Sequence, residues 1–278
     1  MNKLFVIGCS RSGTSFLQKK IVEEFCYWSL PETSFYLRNR NNIVTRFSKL
    51  IDVYLKSQGK SSQLVLNKFK AVFSPTGLRI ILASSSQLSS SRMFDKIVSS
   101  FARANGQVGW LEKSPLHFRY IDSIKNDFED AKIIYVIRNG RDVVASIVDR
   151  ANKYPEIFSE QNVDYAINLW NESIEVANKI IGDESLLIIS YEAYVGNEAK
   201  ANCLIKKFLG SDFRELTGDK FSIVEGVEQW KSNLSTDSFV AEDKFSKLFS
   251  LSEQEIILSK LNCQLYNSIL ERIASDEV

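Results

Sequence analysis

Arg11 sits inside a glycine- and serine-rich loop, Gly8-Cys9-Ser10-Arg11-Ser12-Gly13-Thr14-Ser15. The loop follows the short apolar run Leu4-Phe5-Val6-Ile7 and opens a helical pattern from Thr14 to about Phe25. Strand, loop and helix N-terminus together gather backbone N–H groups and the positive end of a helix dipole around one point, which suits an anion. The spacing is that of a P-loop, with four residues between Gly8 and Gly13 and two hydroxyl residues after them. One residue departs from that pattern. The position that would hold a Lys for the β- and γ-phosphates of a nucleoside triphosphate is Thr14, and the cation stands three residues earlier as Arg11. The loop is built for a phosphate-like group but lacks the triphosphate reader.

Three further groups of residues could act with it. In Ile134-Tyr135-Val136-Ile137-Arg138-Asn139-Gly140-Arg141-Asp142-Val143-Val144-Ala145-Ser146, a buried strand would deliver Arg138 to its end, and a helix would carry Ser146 eight residues on. A guanidinium in that place can grip a phosphate through two hydrogen bonds. Trp110-Leu111-Glu112-Lys113-Ser114-Pro115-Leu116-His117 puts Lys113 at another strand end, with Pro115 suited to the first turn of a helix. His117 is the only histidine, so it could be a general base or a buried structural ring. Pro31-Glu32-Thr33-Ser34-Phe35-Tyr36 offers a carboxylate 21 positions after Arg11, which a returning chain could bring back over the loop.

These groups need a sheet to carry them. Lys3–Ile7, Val108–Glu112, Lys132–Ile137 and Ser185–Ser190 are short runs rich in Val, Ile and Leu, as expected of strands buried on both faces. Helical patterns over Pro115–Phe128, Arg141–Lys153 and Val163–Ile180 alternate with them. The order predicts an α/β fold with a parallel central sheet flanked by helices. Ligands of such sheets bind at the carboxyl ends of the strands, so the loops after Ile7, Glu112 and Ile137 should share one edge. Residues 27–107 read as a mainly helical cap inserted into a single domain spanning 1–278, with the serine patch from Ser84 to Ser91 as a loop. Leu251–Ile273 reads as one helix, N-capped by Ser252 with Glu255 closing a capping box.

Composition narrows the partners. The 35 Lys and Arg nearly cancel the 34 Asp and Glu, so no global field favours nucleic acid or an anionic membrane. Cys9, Cys26, Cys203 and Cys263 lack metal-ligand or redox spacing, which argues against a His/Cys metal site and for reduced thiols. The apolar run before Gly8 is too short for a signal segment, and no run reaches the ~20 residues of a membrane span. The chain reads as cytoplasmic.

Taken together, the motifs resemble those of sulfotransferases that use 3′-phosphoadenosine 5′-phosphosulfate (PAPS), nearer the bacterial and Golgi branches than the cytosolic one. The resemblance runs from Leu4 to about Leu234 and implies a P-loop-NTPase-like fold. It implies that Ser10, Arg11, Ser12, Gly13, Thr14 and Ser15 hold the 5′-phosphosulfate, with Arg11 on the oxygen bridging phosphate and sulfate. Arg138 and Ser146 would clamp the 3′-phosphate, and Lys113, in an EKTP-like turn, would reach the transferring group from the side opposite Arg11. Pro31-Glu32-Thr33-Ser34-Phe35-Tyr36 is similar to a PETxFF element whose Glu is the catalytic base, with Ser34 standing where many relatives carry His. Tyr191, in Ile188-Ile189-Ser190-Tyr191-Glu192, would lie beside the nucleotide. Trp230-Lys231 resembles a late loop that closes over it, with Lys231 as a phosphate contact. Phe35 and His117 would face the acceptor. The resemblance implies no metal, because two fixed cations and a helix N-terminus supply the positive charge.

Two other readings stay open on the residues alone. An atypical P-loop kinase would use Thr14 or Ser15 and Asp142 around Mg²⁺. A non-catalytic binder of adenosine 3′,5′-bisphosphate would need Arg138 and Ser146 but not Glu32. The sequence leaves the acceptor open between saccharides and small molecules bearing a hydroxyl or an amine.

Overall fold

The computed structural model describes residues 1–29, 32–37, 90–210 and 243–275. Five strands form one sheet in the order β2-β3-β1-β4-β5, where β1 is Asn2–Gly8, β2 Tyr27–Ser29, β3 Gly109–Lys113, β4 Ala131–Ile137 and β5 Leu186–Ser190. Every neighbouring pair is parallel. The expected α/β architecture is therefore present, with the four expected strands within a residue or two of their sequence bounds and one strand more.

Strand β1 lies at the centre because it can be buried on both sides. Leu4 and Val6 point to one face, where they meet Leu17, Ile21 and Phe25 of helix α1 (Thr14–Phe25) and Ile205 and Leu209 of a later helix. Phe5 and Ile7 point to the other face, into a cluster with Trp110, Phe94, Val143 and Trp170. Burying such side chains contributes about 1.5–3 kcal/mol each, which is why an unbroken apolar run rather than an alternating one marks this strand. In α1, Thr14, Leu17, Gln18, Ile21 and Phe25 form a single buried stripe at helical spacing. The helix stops at Cys26, whose φ of 54° turns the chain into β2.

From β1 the chain crosses to one side of the sheet, and from β4 it continues to the other. The crevice between β1 and β4 is thus the point where the connections diverge, the usual ligand position in an open parallel sheet. The helices that follow are α2 (Ser90–Ala104), a 3₁₀ helix (Pro115–Tyr120), α3 (Ile121–Asp127), α4 (Gly140–Lys153), α5 (Pro155–Phe158) and α6 (Val163–Ile180). After β5 come α7 (Tyr191–Gly196), α8 (Glu198–Leu209), α9 (Lys244–Leu248), α10 (Leu251–Lys260) and α11 (Cys263–Ser275). No helix among the described residues is long and apolar enough to cross a membrane.

Five features differ from the sequence expectation. Tyr27–Ser29, read as the start of the cap, is an edge strand of the sheet, tied in by Gln18 Nε2 donating to Ser29 Oγ (2.8 Å) and Ser29 Oγ donating to Leu111 O (3.0 Å). Ser90 and Ser91, read as loop, begin α2, whose Phe94, Val98 and Ala102 pack into the core. The helix expected over Pro115–Phe128 starts as a 3₁₀ turn with Pro115 at its head and becomes α-helical only at Ile121. The C-terminal helix is two helices. Its break at Leu261-Asn262 is satisfied by the Asn171 side chain, which donates to Lys260 O and accepts from Asn262 N–H, each at 2.9 Å. Of the two Ser-x-x-Glu registers available, the capping box uses Ser250 and Glu253, two residues earlier than Ser252 and Glu255. Residues 38–89 of the expected cap and the Trp230-Lys231 loop lie outside the described residues.

Candidate active site

The loop after β1 is shaped by its two glycines. Gly8 has φ 144°, and a Cβ there would lie 2.2 Å from Val136 O of the neighbouring strand. Gly13 has φ 99°, and a Cβ there would lie 2.3 Å from the Tyr191 ring. Only glycine admits this backbone path and this closeness. Ser12 is fully buried and faces inward: its N–H and its hydroxyl both donate to Cys9 O (3.1 and 2.6 Å), and the hydroxyl also reaches Val136 O (3.2 Å). Ser12, expected among the ligand contacts, is therefore a brace inside the loop. The first N–H groups of α1, at Thr14 and Ser15, precede the first helical bond, Leu17 N–H to Gly13 O, and are the donors a helix N-terminus leaves for an anion. Arg11 itself has φ 71°, a strained conformation for a non-glycine residue.

The strand order sets a row of functional groups along the sheet edge: Lys113 ends β3, Arg11 follows β1, Arg138 follows β4 and Tyr191 follows β5. On the β4 side the groups touch directly. Arg11 Nε donates to Ser146 Oγ (3.0 Å), across 135 positions of sequence, and Arg138 Nη1 donates to Arg11 O (3.3 Å). The Arg138 guanidinium lies over the Tyr191 ring, 4.5 Å from its centroid, and Asp142 stands 3.7 Å away. Its Nε is buried with no hydrogen-bond partner among the described residues. The backbone that carries it is fixed twice. Trp170 Nε1 donates to Arg138 O (2.9 Å), and Asn139 N–H donates to Glu192 Oε1 (2.9 Å). Glu192 also accepts from the Ser190 and Tyr266 hydroxyls, linking this loop to β5 and α11. Burial, and then Arg138 as a like-charged neighbour, push the Arg11 pKa down.

On the β3 side, Lys113 is fully buried and its Nζ donates to Glu32 Oε2 (2.9 Å), while Glu32 remains one-third exposed. The segment bearing Glu32 is fastened to the strand end by a buried polar network. Glu112 Oε1 accepts from Thr33 Oγ1 (2.7 Å) and from Ser114 Oγ (2.6 Å), and Ser114 Oγ in turn accepts the Ser34 N–H (2.9 Å). His117 completes it. Tyr36 N–H donates to Nε2 (3.2 Å), so that nitrogen carries no proton and the ring proton sits on Nδ1, donated to Glu112 Oε2 (3.0 Å). Burial works to raise the Glu112 pKa, but the imidazole of His117 and the hydroxyls of Ser114 and Thr33 outweigh it and hold the group below the ordinary carboxylate range.

Arg11, Gly13, Thr14, Ser15, Arg138, Ser146 and Tyr191 thus lie around one crevice, with Ser10 beside them on the loop and with Lys113 and Glu32 at its β3 end. The two residues expected to face the acceptor are both buried. His117 is fully buried with both ring nitrogens engaged, and Phe35 is buried against Tyr36 and Phe94. Lys231 lies outside the described residues. One cation on the helix that carries Ser146 had no place in the sequence analysis. Arg150 stands four residues after Ser146 on α4, and that i, i+4 spacing to a recognised ligand residue was the available signal.

The sequence profile of the sulfotransferase family matches residues 3–215, most of the chain. No curated protein matches it by sequence. Among solved structures it is similar to the sulfotransferase domain of the Synechococcus PCC 7002 olefin synthase, at 17% identity and a TM-score of 0.54, covering 93% of this chain and 94% of that one. It is also similar to the sulfotransferase domain from the curacin biosynthetic pathway, at 18% identity and a TM-score of 0.56, covering 93% and 96%. At such identities the likeness speaks for the fold, and the profile speaks for the family. With the loop, the row of cations and this match together, the chain belongs to the sulfotransferase family of transferase enzymes.

Proposed function

We propose that this enzyme transfers a sulfuryl group from PAPS to a hydroxyl, or an amine, of a saccharide or small-molecule acceptor, with Glu32 as the base. The observation that carries the reading is the Lys113–Glu32 pair at 2.9 Å, set on the strand beside the Arg11 loop. The donor set fits the nucleotide. The unpartnered Arg138 Nε, the Ser146 hydroxyl and the Tyr191 ring suit a 3′-phosphate next to an adenosine. The α1 N-terminus and Arg11 suit a 5′-phosphosulfate. PAPS, when bound, supplies the sulfuryl group and departs as adenosine 3′,5′-bisphosphate.

The chain's own residues have defined tasks. Arg11 and Lys113 approach from adjacent strands and stabilise negative charge that spreads over the transferring group. Glu32 takes the proton of the attacking hydroxyl, which it can do only when ionised, and its partial exposure leaves a face open to an acceptor. Lys113 fixes that carboxylate's direction, and the Glu112–His117 network fixes the segment it stands on. The kinase alternative gains nothing from the geometry: Thr14 is buried, and Asp142 lies against Arg138.

Calorimetry with adenosine 3′,5′-bisphosphate and with ATP, each with and without Mg²⁺, tests the reading. The bisphosphate should bind far more tightly. Tighter ATP binding that strengthens with Mg²⁺ would overturn it. Turnover of labelled PAPS with a cell extract separates the enzyme from a silent binder, which would hold the nucleotide and sulfate nothing.

A further inference from the structure

Arg138 and Arg150 flank Arg11 along the helix that carries Ser146, and among the described residues only one carboxylate, Asp142, lies within salt-bridge range of any of the three, at 3.7 Å from Arg138. The nucleotide reading uses two of these cations. It gives the phosphosulfate to Arg11 and the 3′-phosphate to Arg138. Arg150 is left without an anion.

Its surroundings are those of a held, waiting group. It projects from α4 one turn beyond Ser146, on the same face of the helix. Its guanidinium lies 4.3 Å from the Phe158 ring centroid, and one nitrogen, Nη2, donates to Gln161 Oε1 (2.6 Å). Both partners are neutral, so they orient the fork without cancelling its charge. The Nε is buried with no partner among the described residues. Ser146, one turn before it, holds the Arg11 side chain, so Arg150 extends the same helix face beyond the loop cation, and the charges of Arg11 and Glu32 both act on it. Burial, and then the like charge of Arg11, lower its pKa to about 10.

We propose that Arg150 binds an oxyanion carried by the acceptor, a carboxylate or a phosphate ester, and so makes this enzyme selective for acidic acceptors over neutral ones. The inference rests on the sulfotransferase reading above and names its substrate class. A bidentate guanidinium one helical turn beyond Ser146 would anchor the acceptor at one end while its hydroxyl meets Glu32 at the other.

The test begins with protein saturated with adenosine 3′,5′-bisphosphate, into which inorganic phosphate or acetate is titrated at constant ionic strength set with chloride. Wild type should bind at least one of the two, phosphate pointing to an ester and acetate to a carboxylate. Arg150→Gln should weaken that binding about tenfold or more, while its affinity for the bisphosphate stays within about threefold of wild type. Arg150→Met, which keeps the stem's packing on Phe158, should behave alike and serves if the Gln variant folds poorly. The proposal is overturned if bisphosphate-loaded wild type binds neither anion, or if the variants bind it as wild type does. Failure to bind the bisphosphate at all would instead sink the sulfotransferase reading, and this inference with it.

Discussion

The two ends of the crevice are held in opposite ways. At the β4 end the cations are under-satisfied: Arg138 keeps a buried Nε without a partner, and Arg11 spends its Nε on a hydroxyl rather than a carboxylate. At the β3 end the charged groups are saturated: Lys113 with Glu32, and Glu112 with three side-chain donors. A region short of negative charge is prepared to receive an anion. A region already neutralised is prepared to hold a carboxylate still. Binding and proton transfer make these different demands, because a bound phosphate brings its own charge whereas a base must keep its position before any substrate arrives.

The contrast is broken most severely at Glu32. Glu32→Gln keeps the shape and removes the base, so turnover should fall about 10²–10⁴-fold. Nucleotide affinity should survive, because the β4 end is untouched. A folded Gln variant with the wild-type rate would place the base elsewhere, and the buried, doubly engaged His117 could not fill the role without moving.

Arg138→Ala tests the other end. Removing a charged partner of a phosphate costs about 1.5–3 kcal/mol, roughly a ten- to hundredfold rise in the dissociation constant for adenosine 3′,5′-bisphosphate. The rate at saturating nucleotide should change far less. Unchanged affinity would move the 3′-phosphate to another cation.

Much of this contrast could be read from sequence wherever one segment carries both the element and its functional residue. Gly8 to Ser15 encodes strand end, loop and helix start in a row, and Arg138 to Ser146 encodes a strand end and a helix face. Contacts between distant segments were less legible. That Arg11 meets Ser146, or that Asn171 on α6 splits the C-terminal helix, depends on packing that no local pattern records. Strand β2 is only three residues long, too short a run to mark itself, and is tied in through Gln18, Ser29 and Leu111. Ser12, placed among the phosphosulfate contacts by the family resemblance, also braces the sharp turn after Gly8 through Cys9 O and Val136 O, a role no local pattern shows. His117, which the sequence left open between a general base and a buried structural ring, is joined by the fold to Glu112 in one network.

Glu112→Gln should sharpen the comparison by loosening only the β3 end. It leaves buried donors poorly matched, at a cost of about 1–3 kcal/mol in stability. The folded-state pKa of Glu112 is depressed, so the stabilisation is present above the unfolded value, about 4.3, and is lost as pH falls through the folded value. The stability gap between wild type and variant should therefore be widest near neutrality and close in acid. Denaturant unfolding at several pH values measures it. A gap that widened in acid would show that Glu112 is protonated in the native protein.

The smallest effect is expected at Tyr191, and it asks what the β4 end uses besides charge. The ring supports the Arg138 guanidinium from 4.5 Å and closes against Gly13, so it holds the guanidinium's direction more than it supplies energy. A cation–π contact at a partly exposed site contributes about 0.5–1 kcal/mol. Tyr191→Leu should thus weaken binding of adenosine 3′,5′-bisphosphate by only about two- to fivefold, and Tyr191→Phe, which keeps the ring, should stay near wild type. Catalysis at saturating nucleotide should be unaffected in both, since Glu32 and Lys113 stand on the far side of β1. If Phe loses as much as Leu, the hydroxyl touches the nucleotide and the ring is not the support. If Leu costs as much as Arg138→Ala, the stack is what positions the guanidinium, and the β4 end is held as firmly as the β3 end, by an aromatic face in place of a hydrogen-bonded network.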